Sequence, residues 1–179
     1  MSTYSTAGAP PGTYRVDERA ALPYVYLSRT VPMAGLNELA HEMGRVVGDA
    51  LDAGLALAGP PLLRYRVIDM ERALVVEAGV PVLGPDPGTG SLSAPDGLEL
   101  GEIPAGRYLT VVHVGHPDSL EAATGAFLGY AASQGLTFDA APGDDGEVWG
   151  SRIEWYLTDP RDEPDMDRWE TELAFRLAD

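Results

Sequence analysis

Hydrophobic positions change their spacing along this chain in a way that marks out elements one after another. Residues 22–31, Leu-Pro-Tyr-Val-Tyr-Leu-Ser-Arg-Thr-Val, are β-branched and aromatic and predict a strand. From Leu36 the period shifts. Leu36, Leu39, Ala40, Met43, Val47, Ala50 and Leu51 recur at three and four residues, opposite Glu38, His41, Glu42, Arg45, Asp49 and Asp52. That pattern is an amphipathic helix, and Gly54 suits its C-terminal cap. After Gly59-Pro60-Pro61, the runs 62–68 and 73–82 predict two strands joined near Asp69-Met70-Glu71, so the first half reads β-α-β-β.

The same order then returns. Residues 98–103 and 108–114 predict strands around Pro104-Ala105-Gly106. Leu120 to Gln134 carries Leu120, Ala123, Ala126, Phe127 and Ala131 at helical spacing, with Asp118 or Ser119 as N-cap and Gly135 as the stop. Strands at 151–158 and 169–177 follow across an acidic loop, 159–167. Tyr24 and Tyr108, Leu36 and Leu120, Glu18 and Glu102, and Ala21 and Ala105 are each 84 positions apart, while Gly54-Leu55 and Gly135-Leu136 end the helices at a shift of 81. The expected fold is α+β, a pseudo-two-fold tandem of two β-α-β-β modules, about 14–83 and 98–178, joined by a loop at 84–97 and preceded by a flexible tail at 1–13. The modules are expected to share one core, because a half of roughly 80 residues buries little alone. One helix covers only one face of each module's sheet, so a ligand groove is expected where the modules meet.

Composition narrows the chemistry. The 179 residues are 45% hydrophobic, ample for a core. Twelve arginines and no lysine stand against 28 acidic residues, a net charge of −16 that repels nucleic acid and anionic membranes. The absence of Cys and Lys removes thiolate catalysis, disulfides, Cys-ligated metals and Schiff-base chemistry. The tail has neither a cationic nor an apolar leader segment, and no apolar run approaches the roughly 20 residues of a membrane span, so a cytoplasmic protein is expected.

The segment Arg152 to Pro160 is the most informative. Strand alternation puts Ile153, Trp155 and Leu157 on one face, expected to meet the helices, and Glu154 and Tyr156 on the other, expected to meet the groove with Trp149 at the strand's approach. A carboxylate in an aromatic concavity has a raised pKa unless a cation or donor meets it. Such a group binds a cation or moves a proton. At about 4 Å and an effective dielectric of about 20, a paired ligand cation gains on the order of 4 kcal/mol before desolvation is subtracted. The same alternation also fits an exposed strand glutamate paired with an arginine.

Several words in fixed order resemble the GyrI-like effector-binding domains over about residues 14–178. They are Gly59-Pro60-Pro61 with Tyr65 in the next strand, Ile103-Pro104-Ala105-Gly106-Arg107-Tyr108, His113-Val114-Gly115, Glu154-Trp155-Tyr156-Leu157-Thr158-Asp159-Pro160, and Thr171-Glu172-Leu173. The resemblance implies a hydrophobic groove between the modules with Glu154 as its central acidic residue, and lipophilic, frequently cationic aromatic small molecules as partners. Some stand-alone members resembling this chain open cyclopropane rings of alkylating natural products with that same glutamate. The sequence departs from the family pattern at Gly115-His116-Pro117, where an aromatic residue is usual. The short stretch before residue 14 leads us to expect a stand-alone protein, or a module that serves a separate regulator, and not a DNA-binding regulator in itself.

Other candidates are weaker. His113 reads as a hydrogen-bonded strand histidine, and with His116 it lacks the common helical face of a metal pair. Nothing singles out His41 as a haem ligand. Gly88-Thr89-Gly90-Ser91 fits neither a nucleophile elbow nor a phosphate loop. The loop 159–167 lacks the calcium pattern. No metal or cofactor is expected. Two readings stay open, a binder in which Glu154 is the counter-charge and Tyr156, Trp149 and Tyr65 are ring contacts, and a hydrolase in which Glu154 and Tyr156 are catalytic.

Overall fold

The structure of the chain, a computed structural model, describes residues 10–84 and 91–179. Most of the tail and the run Pro85 to Gly90 therefore lie outside the described residues. Ten strands and two helices follow in the order β1 (Arg15–Arg19), β2 (Leu22–Val31), α1 (Leu36–Asp52), β3 (Leu62–Ile68), β4 (Leu74–Pro81), β5 (Glu99–Ile103), β6 (Gly106–Val114), α2 (Leu120–Ser133), β7 (Ala140–Gly143), β8 (Gly146–Trp149), β9 (Arg152–Tyr156) and β10 (Glu170–Arg176). The two helices and the longer strands occupy the positions their periodicity predicts. Gly54 and Gly135 adopt the left-handed backbone that ends a helix.

All strands join one antiparallel sheet in the order β1-β6-β10-β9-β3-β4-β2-β5, with β8 added beside β3 and β7 beside β8. The order is a palindrome. Each module lends its first strand to the other, since β1 pairs with β6 and β5 pairs with β2. This exchange curls the sheet, because the two-residue turn Pro104-Ala105 must join β5 at one end of the ladder to β6 near the other. A tight connection between strands so far apart in the ladder requires the ends to approach.

The curl decides what each face buries. Its inner face holds Tyr24, Leu62, Ile103, Tyr108, Ile153, Trp155 and Ala174, all from strands. The alternation of β9 holds, but Ile153 and Trp155 fill the closed inside of the curl and do not face the helices. The outer face carries the helices. From α1, Leu39 and Met43 pack on Leu63, Tyr65, Val76 and Ala78, and Val46 and Ala50 pack on Val25, Leu27 and Val80. From α2, Phe127 and Ala131 pack on Leu109, Val111, Leu173 and Phe175. Glu154 and Tyr156 thus lie on the same side as the helices, on the seam between the Leu39 and Met43 cluster of α1 and the cluster of α2.

Candidate functional site

Pairing registers locate the symmetry axis to the residue. Tyr24 pairs with Pro81 and its equivalent Tyr108 pairs with Arg176, which makes Ala78 equivalent to Leu173. Ala78 pairs with Leu63 and Leu173 pairs with Glu154, so Leu63 is the counterpart of Glu154. Those two residues also pair directly with each other across β3 and β9. The pseudo-two-fold passes between them, and one side holds a carboxylate where the other holds a leucine. Tyr65 and Tyr156, each two residues further along its strand, are counterparts by the same rule.

Both tyrosines converge on one oxygen. Tyr156 donates to Glu154 Oε2 at 2.7 Å and Tyr65 donates to the same atom at 3.1 Å. Glu154 is 9% exposed, and Oε1 accepts no hydrogen bond among the described residues yet is not sealed from the surface. Burial pushes the Glu154 carboxyl above its usual range, opposed by the two tyrosine bonds and by the nearby Arg152 charge. Burial, reinforced by the carboxylate, pushes both phenols well up, so they stay protonated donors. Tyr156→Phe should therefore raise the Glu154 pKa further, and Tyr65→Phe should raise it by less because its bond is longer. Carboxyl carbon NMR titration reads both, and an unmoved midpoint in the two variants would show that the hydroxyls do not stabilise the anion.

Arg152 completes the site. It precedes Glu154 by two residues, shares its face, and pairs with Phe175 of β10. Its guanidinium carbon lies 4.7 Å from the Phe175 ring centroid, 4.8 Å from that of Trp149 and 5.7 Å from that of Tyr65. Trp149 is 4% exposed, packs on Phe138 and Phe175, and faces the Arg152 guanidinium. The alternation that grouped Glu154 with Tyr156 placed Arg152 beside them, and that signal was available in the sequence. The equivalence of the tyrosines was hidden, because the β7–β8 hairpin, inserted between α2 and β9, widens their separation to 91 positions.

Other candidates have ordinary roles. Ser119 Oγ donates to the His116 carbonyl at 2.6 Å, so His113 Nε2 must donate to Ser119 Oγ at 2.7 Å. Asp159 is clamped by Arg161 at 2.6 Å. No group of three or more His, Asp or Glu placed to hold a metal occurs among the described residues, and no helix among them is long and apolar enough to cross a membrane. A cavity of about 320 Å³ between β6 and α2, lined in part by Tyr14, Val111, His113 and Ala123, does not include Glu154.

Comparison with known proteins agrees with this architecture. Residues 12–178 match the model of the GyrI-like small molecule binding domain. The C-terminal domain of EcmrR superposes with a TM-score of 0.66 at 20% identity, over 93% of this chain and 97% of that one. SAV2435, solved bound to tetraphenylphosphonium, superposes with a TM-score of 0.60 at 11% identity, covering 93% and 94%. A hydrolase from Listeria innocua gives 0.55 at 13%, covering 95% and 94%. No curated protein matches the chain. At these identities the solved structures speak for the fold alone.

Proposed function

The chain belongs to the GyrI-like small-molecule binding domain family, and from that premise we propose that it captures lipophilic cationic molecules on the seam around Glu154. One observation carries this reading. A buried carboxylate holds two tyrosine donors on Oε2 and leaves Oε1 without a bond among the described residues. The Tyr156 ring beside it adds roughly 0.5–2 kcal/mol for a cation. The low exposure of Glu154 means that a drug-sized ligand enters by displacing Tyr156, which is only partly buried. The tetraphenylphosphonium bound to SAV2435 supplies a probe of the right chemistry.

Calorimetric titration tests it. Wild type should bind tetraphenylphosphonium, and Glu154→Gln should weaken that binding tenfold or more, about 1.4 kcal/mol, while neutral triphenylphosphine oxide is little affected. Equal tetraphenylphosphonium affinities for the two proteins would remove the counter-charge role. The sign with pH follows from the raised carboxyl pKa. Cation affinity should grow as pH rises through that value and fade on acidification earlier than a solvent-exposed glutamate would allow. Unliganded stability runs the opposite way, because the folded state holds this proton more tightly than the unfolded chain. The contribution is complete below the ordinary carboxyl range and is lost as pH rises through the raised value.

The 2.7 Å contact between the Tyr156 hydroxyl and the carboxylate favours a second reading, hydrolysis of a strained cyclopropane conjugated to a carbonyl. Glu154 would take a proton from water as its oxygen bonds to ring carbon. The ring C–C bond breaks toward the carbonyl, whose oxygen receives a proton from Tyr156. Water-adduct formation beyond one equivalent of protein distinguishes turnover from capture.

A further inference from the structure

We infer that Arg152 is a second polar anchor of this site, so that the ligand carries a strong hydrogen-bond acceptor, a carbonyl or phosphoryl oxygen, beside its lipophilic body. The inference rests on the binding reading above and specifies its ligand class. A guanidinium has five N–H donors and no acceptor. Among the described residues, none of those donors of Arg152 meets a hydrogen-bond acceptor. Among those residues its Nε is fully buried without a partner, and no carboxylate oxygen of theirs comes within the 4.0 Å of an ion pair.

Protein surroundings that held an arginine for its charge alone would supply an acidic partner, as Asp139 does for Arg176 at 2.7 Å and Glu172 does for Arg19 at 2.8 Å. Here the partners are rings. Trp149, Phe175 and Tyr65 hold the planar group through their faces, which fixes its orientation without using its donors. Burying the Nε donor unpaired is costly, and a ligand oxygen that reaches it removes that cost. Glu154 offers acceptor atoms and Arg152 offers donor atoms on the same face, two residues apart on one strand. A molecule that satisfies both is bipolar, with a cation or N–H group toward Oε1 and an acceptor oxygen toward the guanidinium. A simple monocation meets only half of the site and is repelled by the other half.

Two probes of similar size separate the contributions. Triphenylphosphine oxide carries one strong acceptor oxygen and no charge, while tetraphenylphosphonium carries the charge and no acceptor. Arg152→Met keeps the apolar stem over the rings and removes the donors. It should weaken triphenylphosphine oxide at least tenfold and leave tetraphenylphosphonium unchanged or bound up to several-fold more tightly. Arg152→Lys keeps the charge and loses the planar fork, and it should weaken the phosphine oxide at least threefold, a readout that survives if the methionine variant does not fold. Phosphine oxide affinity within twofold of wild type in either folded variant, or equal losses for both probes, would overturn the role of Arg152 and leave capture at Glu154 intact. Failure of wild type to bind either probe would instead sink the binding reading and this inference with it.

Discussion

Arg64→Met should destabilise the protein by about 3–5 kcal/mol, the cost of breaking a buried charge network by removing one partner, and lower Tm by roughly 6–20 °C for a chain of this size. Arg64 is 3% exposed and Glu77 is 6% exposed, both on the inner face of the curl. Arg64 Nη1 donates to the Tyr24 hydroxyl and to the Glu102 carbonyl, each at 3.0 Å, and Nη2 donates to the Gly150 carbonyl at 2.7 Å. Tyr24 in turn donates a short hydrogen bond to Glu77. One side chain from β3 thereby ties β2, β5 and the approach to β9 together across the inside of the curl. Without it two carbonyls and the Tyr24 hydroxyl lose a donor, and the ion pair of Glu77 remains the one with Arg66, 4.0 Å away and far more exposed. Urea denaturation at neutral pH measures the loss, and a change below 1 kcal/mol would show that the network is dispensable.

How much of this was legible in the sequence depends on how local the cause is. Helix α1 follows from its own apolar stripe, and β2, β3, β4 and β10 from runs of β-branched and aromatic residues. Strand β1, Arg-Val-Asp-Glu-Arg, has one apolar residue and no period of its own. It is extended because β6 offers it a ladder. The β7–β8 hairpin reads as a loop through Pro142-Gly143-Asp144-Asp145-Gly146, and it is ordered by Val148 pairing with Val67 of β3. Alternation established that Glu154 and Tyr156 share a face, but not which face the helices cover. That choice belongs to the exchange of β1 and β5 between modules, which closes one side of the sheet and leaves the other to α1 and α2. The 84-residue register shows the duplication, yet it ends before β9, where the equivalence that matters for the site begins.

The duplication gives the site its economy of parts. Two symmetric strands meeting at an axis bring two symmetric tyrosines to one point, and a single asymmetric substitution supplies the chemistry. An apolar pair at positions 63 and 154 would bury both equally well. A carboxylate at both would place like charges face to face in a dry seam. One of each gives an anion with two donors and an apolar neighbour, a poised group whose burial costs stability at neutral pH and favours any cation that reaches it.

Leu63→Glu tests this argument with a large expected effect. Leu63 is 2% exposed and directly opposite Glu154, so the variant buries a second carboxylate against the first, with the single Arg152 charge nearby to offset the two. The expected loss is about 3–5 kcal/mol at neutral pH. It should shrink on acidification, because two facing carboxyls share a proton more readily than both ionise. Combining Leu63→Glu with Glu154→Leu exchanges the two residues across the axis. The carboxylate would then stand two positions before Tyr65, as Glu154 stands before Tyr156 in the wild type, and would accept from the same two hydroxyls. The leucine moved to position 154 would pack beside Leu173. The double variant should regain at least half of the stability lost by Leu63→Glu alone, a coupling well above the few tenths of a kcal/mol of error for independent sites. If the two substitutions simply add, positions 63 and 154 are not interchangeable and the symmetry is only a property of the backbone.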